Sequence, residues 1–465
     1  MNRAKLLTMV SAELGHRRLV WAGIRGADAE PLADLPQFEA AYTIINAYSR
    51  RPSVDGMAYE DLTGVRVDLE IWDIDAHLDA EATATFRRAM LQVLSVPSAL
   101  LPYRPSSFLS AIWFARRNRC LNLGLFGGHQ AAFEHKPWVE TSIAALGVRT
   151  IPWTYVADEE QLRTEEMLRQ GALILRRSRT SGGEGIVRVD DAGQVRLQWP
   201  HVAEAFVSVA PYLEGGIPIN VGATVWHDGV TVHYPSVQLI GIQECVTRPF
   251  GYCGNDYGLV KDLGPRVLDQ IEASTRAIGK WLQSYGYLGT FGVDFLVHEG
   301  VPLFTEINPR FQGSTHASCQ LAIDAGESCL MLEHLAALRR IDAPPQRPVR
   351  ELAAEAPPLA HFVVHWTGDQ AEHLDPSPLV RLAMGTGRAI RAEVLTRPGL
   401  LTSRGAPVAR IVCRESVTRT GYELIEPFAG VVSEWNARAA RGAIDAGSRA
   451  HRADQVVTQG PLGSK

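Results

Sequence analysis

The segment FTEINPRFQGST, residues 304–315, carries polar groups whose types fit a cation site. Glu306, Asn308 and Arg310 occupy alternate positions directly after an apolar run. Alternate residues of a β-strand face the same side of a sheet, so we expect these side chains to share one face. Carboxylate and amide oxygens are ligands that a hard divalent cation such as Mg²⁺ accepts.

The upstream sequence VDFLVHEGVPL predicts a β-hairpin that adds a second carboxylate. A three-residue turn at 298–300 would pair Asp294 with Phe304 and place Asp294, Glu306 and Asn308 on one face. Carboxylates on diagonal positions, about 7 to 8 Å apart at the backbone, repel each other unless a cation lies between them. A solvated polar sheet face is the alternative. The opposite face is predicted to be the apolar core, with Phe291, Val293, Phe295, Val297, Val301, Leu303 and Ile307.

Two further segments place positive charge and small residues where a phosphate could bind. In ILRRSRTSGGEGIVRV, Arg176 and Arg177 end an apolar strand before the loop 181–185, whose backbone N–H groups can fold over phosphate oxygens. In HKPWVETSIAALGV, Lys136 opens a predicted helix, where an ammonium and a helix N-terminus can face one anion. Taken singly, the loop fits an ordinary glycine-rich turn better than a phosphate site, and a lysine at a helix start is more often a solvated surface charge.

The order of these features resembles the ATP-grasp superfamily over about residues 130–335, most specifically in GVDFLV and LFTEINPR. Members clasp ATP between two α+β subdomains. The resemblance implies an ATP-grasp fold of mixed α/β and α+β class, with a small N-terminal α/β domain before it and a β-rich region after it. It also implies ATP and Mg²⁺ as cofactors, with Asp294, Glu306 and Asn308 as the metal ligands.

The resemblance assigns further roles around the nucleotide. Arg310 resembles the catalytic arginine beside the reacting phosphoryl group, and Lys136 resembles the first nucleotide-binding lysine. Arg176 falls where a second lysine is usual, and Arg177 stays an alternative because arginine presents its donors differently. The segment that resembles the family's adenine-binding hinge lacks the acidic residue that is common there, and Glu214 follows it. The residue that contacts the ribose or the adenine amine therefore stays open. The implied phosphate loop is Gly182, Gly183, Glu184 and Gly185, and the implied adenine hinge is Val209, Ala210, Pro211, Tyr212 and Leu213.

The implied activity joins a carboxylate to an amine through an acylphosphate, with release of ADP and phosphate. The layout resembles the peptide ligases of pheganomycin-type antibiotic biosynthesis, whose substrates are amino acids and peptides. A carboxylating enzyme of the biotin carboxylase type is an alternative, although the chain has no biotin-carrier motif such as AMKM. A non-catalytic ATP-binding regulatory module is a further alternative.

Candidate substrate contacts follow the hinge and Arg310. Arg248 and Asn255 lie in the segment before the long predicted helix, where a merely solvated role is the alternative. His316 is a third candidate, and a role in capping the next helix is its alternative. Ser314 and Thr315 are instead expected to cap the helix that follows.

The elements that position these residues predict three regions. Residues 1–130 alternate apolar runs (RLVWAG, VDLEIWD, LNLGLFGG) with a helical stretch, which indicates a small α/β domain. Residues 131–340 are the predicted ATP-grasp domain of two subdomains, with an amphipathic helix at 265–284. Proline-rich sequence after 340 predicts a linker. Residues 341–465 then end in a small β-rich domain with a helical tail and GPLGSK, which is typical of a tag remnant.

Composition and charge narrow the function classes. A chain of 465 residues has room for two or three domains, and its formal net charge of -5 without a basic stripe argues against a nucleic-acid partner. Six scattered cysteines lack metal-ligand spacing and are predicted to be small buried residues in a reducing compartment. We find neither a signal-peptide core nor a run of roughly 20 apolar residues, which predicts a cytoplasmic protein without a membrane partner. A homodimer stays open.

Overall fold

The computed structural model of the chain describes residues 2–124, 129–179, 182–201 and 204–439. Three stretches named above therefore lie outside the described residues: the end of the run LNLGLFGG, Ser181 of the predicted phosphate loop, and the chain from 440 on. The described chain builds a parallel sheet, two antiparallel sheets and a small three-stranded sheet.

The N-terminal region is a parallel sheet in the order β3-β2-β1-β5-β6. Its elements are α1 (Arg3–Leu14), β1 (Arg18–Arg25), β2 (Phe38–Ile45), β3 (Asp55–Ala58), α2 (Glu60–Thr63), β4 (Val65–Arg66), α3 (Glu81–Val93), β5 (Ser98–Pro102), α4 (Ser107–Arg116), β6 (Cys120–Asn122) and α5 (Gln130–Phe133). Apolar residues cover both sheet faces, with α3 and α4 packed on one of them. Such two-sided burial is typical of parallel sheets. The apolar run VDLEIWD is not a strand of this sheet but a loop that follows the two-residue β4.

The next region is a four-stranded antiparallel sheet in the order β7-β10-β8-β9. Its elements, with the helix that precedes it, are α6 (Lys136–Ala145), β7 (Thr154–Ala157), α7 (Gln161–Met167), β8 (Leu173–Arg176), β9 (Ile186–Val189), α8 (Ala192–Gln198) and β10 (Phe206–Pro211). Apolar side chains of the strands and of α8 form its own small core. The sheet places the predicted glycine loop between β8 and β9, and the predicted hinge at the end of β10.

An antiparallel sheet of eight strands follows, in the order β15-β14-β11-β12-β13-β16-β20-β18. The first elements are β11 (Ile217–Val225), β12 (Val230–Ile240), β13 (Tyr252–Asp256), α9 (Pro265–Ser284), β14 (Gly289–His298), β15 (Val301–Asn308), α10 (Thr315–Asp324) and α11 (Leu330–Leu338). The helix predicted at 265–284 is α9, and the residues that its periodicity selects, Val267, Ile271, Ile278 and Leu282, are buried against this sheet.

The C-terminal strands extend the same sheet. The remaining elements are α12 (Val349–Glu355), β16 (Ala360–His365), β17 (Glu372–His373), α13 (Ser377–Gly385), β18 (Ala389–Val394), β19 (Leu401–Thr402), β20 (Pro407–Cys413) and the helical residues 428–439. The expectation of a linker after 340 is wrong for 349–355, because α12 buries Val349 and Ala353 against α9 and β12. The division into domains at 130 and 340 stays a prediction, and the sheet crosses the second boundary.

The β14–β15 hairpin differs from the predicted register. Its turn has two residues, Glu299 and Gly300, both with positive φ, and His298 pairs with Val301. The shorter turn moves Pro302 and Phe304 to the core face in place of Val301 and Leu303, which are only half-buried.

A β-bulge at Thr305 then changes the register a second time. Phe295 pairs with Phe304, whereas Asp294 pairs with Glu306, so one extra residue lies on β15. The extra residue returns Ile307 to the core face, where it pairs with Val293. The predicted sharing of one face by Asp294, Glu306 and Asn308 therefore holds through a different register.

Two other expectations concern the chain as a whole. All six cysteines are buried and free, as predicted. Within the described ranges, no helix is both long enough and apolar enough to cross a membrane.

Candidate active site

Asp294 and Glu306 face each other across the hairpin at the centre of the site. The β-bulge makes them direct partners, closer than the predicted diagonal pair. Asn308 lies on the same face, and its Nδ2 donates to Asp294 Oδ2 at 3.1 Å. From the neighbouring strand β11, Asn220 Nδ2 donates to Asp294 Oδ1 at 2.6 Å, and Gln238 Nε2 of β12 donates to the same oxygen at 3.2 Å.

The electrostatics of this pair favour a cation. Burial and the nearby charge of Glu306 raise the pKa of Asp294 to about 7. A carboxylate with a raised pKa beside a second carboxylate is stabilised in its ionised form by a positive ion. Two carboxylates and one amide oxygen are a donor set that Mg²⁺ takes, with phosphates and water filling its other positions. The residues present therefore fit the implied metal.

Lys136 supplies a positive charge to the same cluster. It begins α6, as the sequence predicts; the His135 ring accepts the Trp138 N–H at 3.4 Å and Pro137 occupies the first turn. The Lys136 ammonium lies 2.7 Å from Glu306 Oε1. Burial lowers the pKa of Lys136, and the Glu306 carboxylate opposes that shift. The helix start thus carries the lysine to the carboxylates.

The two adjacent arginines at the end of β8 have different surroundings. Arg176 is buried, forms an ion pair with Glu140, and lies 3.9 Å from the centre of the Trp153 ring. Arg177 lies beside a second cavity and forms no ion pair with the described residues. Burial raises the pKa of Glu140, and the Arg176 guanidinium opposes that shift. Arg176 is thus engaged by protein partners, and Arg177 is the less engaged of the two.

A cavity of about 340 Å³ lies between the four-stranded and eight-stranded sheets. Four of the five hinge residues, Ala210 to Leu213, line it, whereas Val209 is fully buried in the sheet. The Tyr212 N–H donates to Ala172 O at 2.8 Å. The Leu213 N–H makes no hydrogen bond to the described residues, which leaves a backbone donor at the cavity wall.

The glycine loop lies over this cavity. Gly182, Gly183 and Gly185 all have positive φ, a conformation that suits glycine. A Cβ on Gly183 would lie 1.9 Å from Phe250 O, so the loop backbone packs directly against the segment before β13. Glu184 does not line this cavity and instead lines the second one.

Arg310 connects the two cavities. The second cavity, of about 410 Å³, is lined on one side by Lys136, Arg177 and Glu306 and on the other by the loop after β4. Arg310 borders both cavities and forms no ion pair with the described residues. Its guanidinium is therefore available to an anion beside Glu306 and Asn308.

The three candidate substrate residues do not line either cavity. Arg248 forms an ion pair with Asp68 at 2.5 Å. Asn255 is fully buried, and its Nδ2 donates to Ser236 Oγ at 2.9 Å. His316 lies between Gly313 O and the Arg410 guanidinium. The structure therefore does not bring these three together with the residues around Asp294, and each is held by protein partners.

The expected capping by Ser314 and Thr315 is also different. Ser314 is the N-cap residue of α10, but its hydroxyl donates to Asn220 Oδ1 at 2.7 Å instead of capping the helix. The Thr315 hydroxyl accepts the Gln312 N–H at 2.8 Å. Both residues thus support the amides around Asp294.

Sequence reasoning missed the N-terminal contribution to the site. Arg25, Glu70, Tyr103 and Arg104 line the main cavity, although they lie far from the opening segment in sequence. The signal that could have found them is position, because Arg25 ends β1 and Tyr103 and Arg104 directly follow β5. Residues at the carboxyl ends of parallel strands commonly form ligand sites.

Comparison with known proteins identifies the fold. Residues 142–314 match a family model described as an ATP-grasp domain. A search of curated protein sequences found no match to the chain. The fold is similar to carboxyaminoimidazole ribonucleotide synthase from Aspergillus clavatus complexed with ATP, with 12% identity and a TM-score of 0.58, over 90% of this chain and 99% of that chain.

Two further solved structures are similar. The biotin carboxylase domain of 2-oxoglutarate carboxylase from Hydrogenobacter thermophilus, in complex with MgADP, ADP and bicarbonate, has 12% identity and a TM-score of 0.58, over 86% of each chain. N5-carboxyaminoimidazole synthetase from Staphylococcus aureus with ADP has 12% identity and a TM-score of 0.53, over 90% of this chain and 96% of that chain. The predicted ATP-grasp fold is confirmed.

Proposed function

We propose that this chain, which contains an ATP-grasp domain, is an ATP- and Mg²⁺-dependent ligase that joins a carboxylate to an amine. One observation carries the proposal. The opposed carboxylates Asp294 and Glu306, with Lys136 and Arg310 beside them, lie at the junction of two cavities that the glycine loop and the hinge border. That arrangement would supply metal ligands, phosphate-binding cations and an adenine pocket in one place, which supports the proposal.

The residues have separate roles in this proposal. Asp294, Glu306 and Asn308 would hold Mg²⁺, which when bound offsets the negative charge between phosphates and carboxylates. Lys136 and Arg310 stabilise charge on the γ-phosphoryl group as it moves to the substrate carboxylate.

Two further contacts complete the nucleotide pocket in this proposal. Arg177 is the arginine of β8 that is free to contact a phosphate, because Arg176 is paired with Glu140. The Leu213 N–H, which lies at the cavity wall and has no acceptor among the described residues, would donate to the adenine edge.

The glycine loop closes the nucleotide site. Its backbone N–H groups fold over the phosphates and exclude water from the transferred group. Exclusion of water matters because an acylphosphate hydrolyses if water reaches it before the amine does. The ADP, ATP and MgADP present in the similar structures support this nucleotide assignment.

The finer assignment is peptide-bond formation, as in the pheganomycin-type ligases. Support comes from the cavity, whose wall on the N-terminal side carries arginines and a free carboxylate suited to zwitterionic substrates. The bicarbonate in one similar structure supports a carboxylating enzyme as the second candidate. The two candidates separate by the co-substrate that stimulates ADP formation, amine plus carboxylate for a ligase and bicarbonate for a carboxylase.

The metal site is tested by Glu306→Gln. The substitution keeps the shape of the side chain but removes one negative ligand, so we expect ATP turnover to fall by about 100-fold or more while the unfolding temperature is nearly unchanged. Turnover is measured as ADP release with mixtures of amino acids and peptides, as a function of Mg²⁺ concentration. Weaker metal binding would also shift the Mg²⁺ dependence to higher concentration.

Glu299→Gln is the matched control, because Glu299 lies in the turn of the same hairpin and is exposed. This variant should retain full turnover. Equal activity of Glu306→Gln and the wild type would contradict the metal assignment. Release of AMP and pyrophosphate would contradict acylphosphate formation, and ATP binding without turnover would favour a regulatory module.

A further inference from the structure

The N-terminal parallel sheet reverses its strand order next to the main cavity. Chain connections run from β1 to β2 and β3 on one side, and then cross over to β5 and β6 on the other. The crevice beyond the carboxyl ends of β1 and β5 is therefore a topological switch point, where open α/β sheets bind ligands. Arg25 ends β1, and Arg104 follows β5 by two residues.

Both arginines at the switch point have unused donors or weak partners. Arg25 Nη1 lies 3.5 Å from Asp28 Oδ2, and its buried Nε has no hydrogen-bond partner in the described protein. Arg104 Nη2 lies 3.3 Å from Asp73 Oδ2, a carboxylate that is 49% exposed. A guanidinium binds a carboxylate through two parallel hydrogen bonds, so two such groups at one cavity wall suit a free carboxylate.

A negative group faces the same cavity. The Glu70 side chain makes no hydrogen bond or ion pair to the described residues, and it borders both the main and the second cavity. It also lies against the glycine loop, since a Cβ on Gly182 would be 2.1 Å from Glu70 Oε2. A free carboxylate between the phosphate loop and the arginines suits a substrate ammonium.

A small apolar slot opens from the same wall. It measures about 50 Å³ and shares Ile24, Leu69, Tyr103 and Arg104 with the main cavity. Its inner end is formed by α3 and by α4. By this measure a single water occupies about 10 to 15 Å³, so the slot has room for a group of about three or four heavy atoms. Residues of its inner end are apolar, namely Phe86, Met90, Phe108 and Leu109.

We propose that the amine substrate is a free α-amino acid with a small branched apolar side chain, bound at this switch point. Arg25 and Arg104 hold its carboxylate, Glu70 holds its ammonium and the slot takes its side chain. The inference rests on the proposed ligase function, which places the activated carboxylate near Arg310. Three recognition points of different chemistry around one cavity match the three substituents of an α-amino acid.

The step balances with these groups. The ammonium first gives one proton to Glu70, and the nitrogen lone pair then forms the new C–N bond. The C–O bond to the phosphate breaks and inorganic phosphate leaves with that electron pair. The nitrogen loses its second proton to solvent, and Glu70 releases its proton when the product leaves. The free carboxylate of the bound amino acid becomes the new C-terminus of the product.

Equilibrium binding to the full chain tests the inference, with L-valine, L-leucine and L-alanine as probes and with MgADP titrated separately. We expect L-valine to bind. L-valinamide lacks the carboxylate and isovalerate lacks the amine, so each should bind at least about tenfold more weakly than L-valine. A tenfold change corresponds to about 1.4 kcal/mol, which a single hydrogen bond to a charged group can supply. Arg104→Gln should weaken L-valine binding by a similar factor and leave MgADP binding within about twofold.

Arg117→Gln is the matched control, because Arg117 is on the N-terminal region at the end of α4 and does not line the cavity. Thermal unfolding of each variant shows whether it is folded, and Arg25→Gln repeats the test from the other side of the crevice.

Three results would overturn the inference: none of the three amino acids binds, L-valinamide binds as tightly as L-valine, or Arg104→Gln binds L-valine as tightly as the wild type does. The inference is also overturned if ribose 5-phosphate binds, L-valine does not, and Arg104→Gln weakens the binding of ribose 5-phosphate. If the wild type does not bind MgADP, that result would instead contradict the proposed function.

Discussion

At the scale of single residues, neighbouring side chains of the same type differ in their surroundings. Arg176 is buried between the Trp153 ring and the Glu140 carboxylate, which also accepts a hydrogen bond from Tyr155 at 3.1 Å. Arg177 forms no such ion pair within the described part of the chain and faces the second cavity. Arg176 therefore stabilises the fold beside the main cavity, and in the proposed function Arg177 is the arginine that contacts a phosphate.

Replacement of these arginines should separate stability from binding. Arg176→Met leaves Glu140 as an unpaired buried carboxylate, so we expect the free energy of unfolding to fall by about 3 to 5 kcal/mol. Arg177→Met should change it by less than about 1 kcal/mol but weaken ATP binding. Urea unfolding and nucleotide titration measure the two effects. Equal loss of stability in both variants would show that Glu140 does not depend on Arg176.

At the scale of elements, the glycine loop between β8 and β9 touches the segment before β13 and the loop after β4. Gly183 approaches the Phe250 carbonyl, and Gly182 approaches the Glu70 carboxylate. These contacts join the four-stranded sheet to the eight-stranded sheet and to the N-terminal region. The position of the loop thus depends on the absence of a Cβ at both glycines.

Gly183→Ala should displace the loop. A Cβ 1.9 Å from Phe250 O cannot be accommodated without backbone movement, so we expect nucleotide affinity, measured by titration, to fall by about tenfold. Gly215→Ala is the control, since Gly215 has a similar positive φ of 72° but a Cβ there would have no atom within 4 Å. Comparable nucleotide affinities of the two variants would contradict a role for the close approach of Gly183 to Phe250 in nucleotide binding.

At the scale of the whole molecule, buried neutral histidines connect distant regions. His334 of α11 accepts the Thr290 N–H on Nδ1 at 2.9 Å and donates from Nε2 to Leu123 O at 3.1 Å, which joins the eight-stranded sheet to the N-terminal region. Burial lowers the pKa of His334 to about 4 and that of His365 to about 3. Protonation of either ring is thus much easier in the unfolded chain.

Stability should therefore fall in acid. The unfolded state takes up a proton on His334 near pH 6.5, well above the folded pKa of about 4, so stability is lost as pH falls below about 6.5. For His334 alone, lowering the pH from 7 to 5 should cost about 2 kcal/mol. Urea unfolding across this range should show a smaller slope for His334→Gln than for the wild type. The exposed His16→Gln is the control, and an unchanged slope in His334→Gln would contradict this account.

Much of the candidate site was predictable from the sequence because it depends on local periodicity. Strand alternation placed Glu306 and Asn308 on one face, and the 3.6-residue period identified α9. Lys136 begins a helix because local capping and a proline in the first turn are readable in the chain itself. These features depend only on residues that are close in sequence, so the sequence was enough to predict them.

Only the tertiary structure decided the rest. One bulged residue, Thr305, made the two carboxylates direct partners, and a bulge is defined by the pairing of two strands. The switch-point residues Arg25 and Arg104 meet the ATP-grasp cavity through packing of regions far apart in the chain, and α12 folds onto α9 where proline content alone suggested a linker. The sequence by itself thus determined the residue types of the candidate site, whereas contacts between distant segments decided the register, the enclosing walls and the groups that the N-terminal region adds to the cavity.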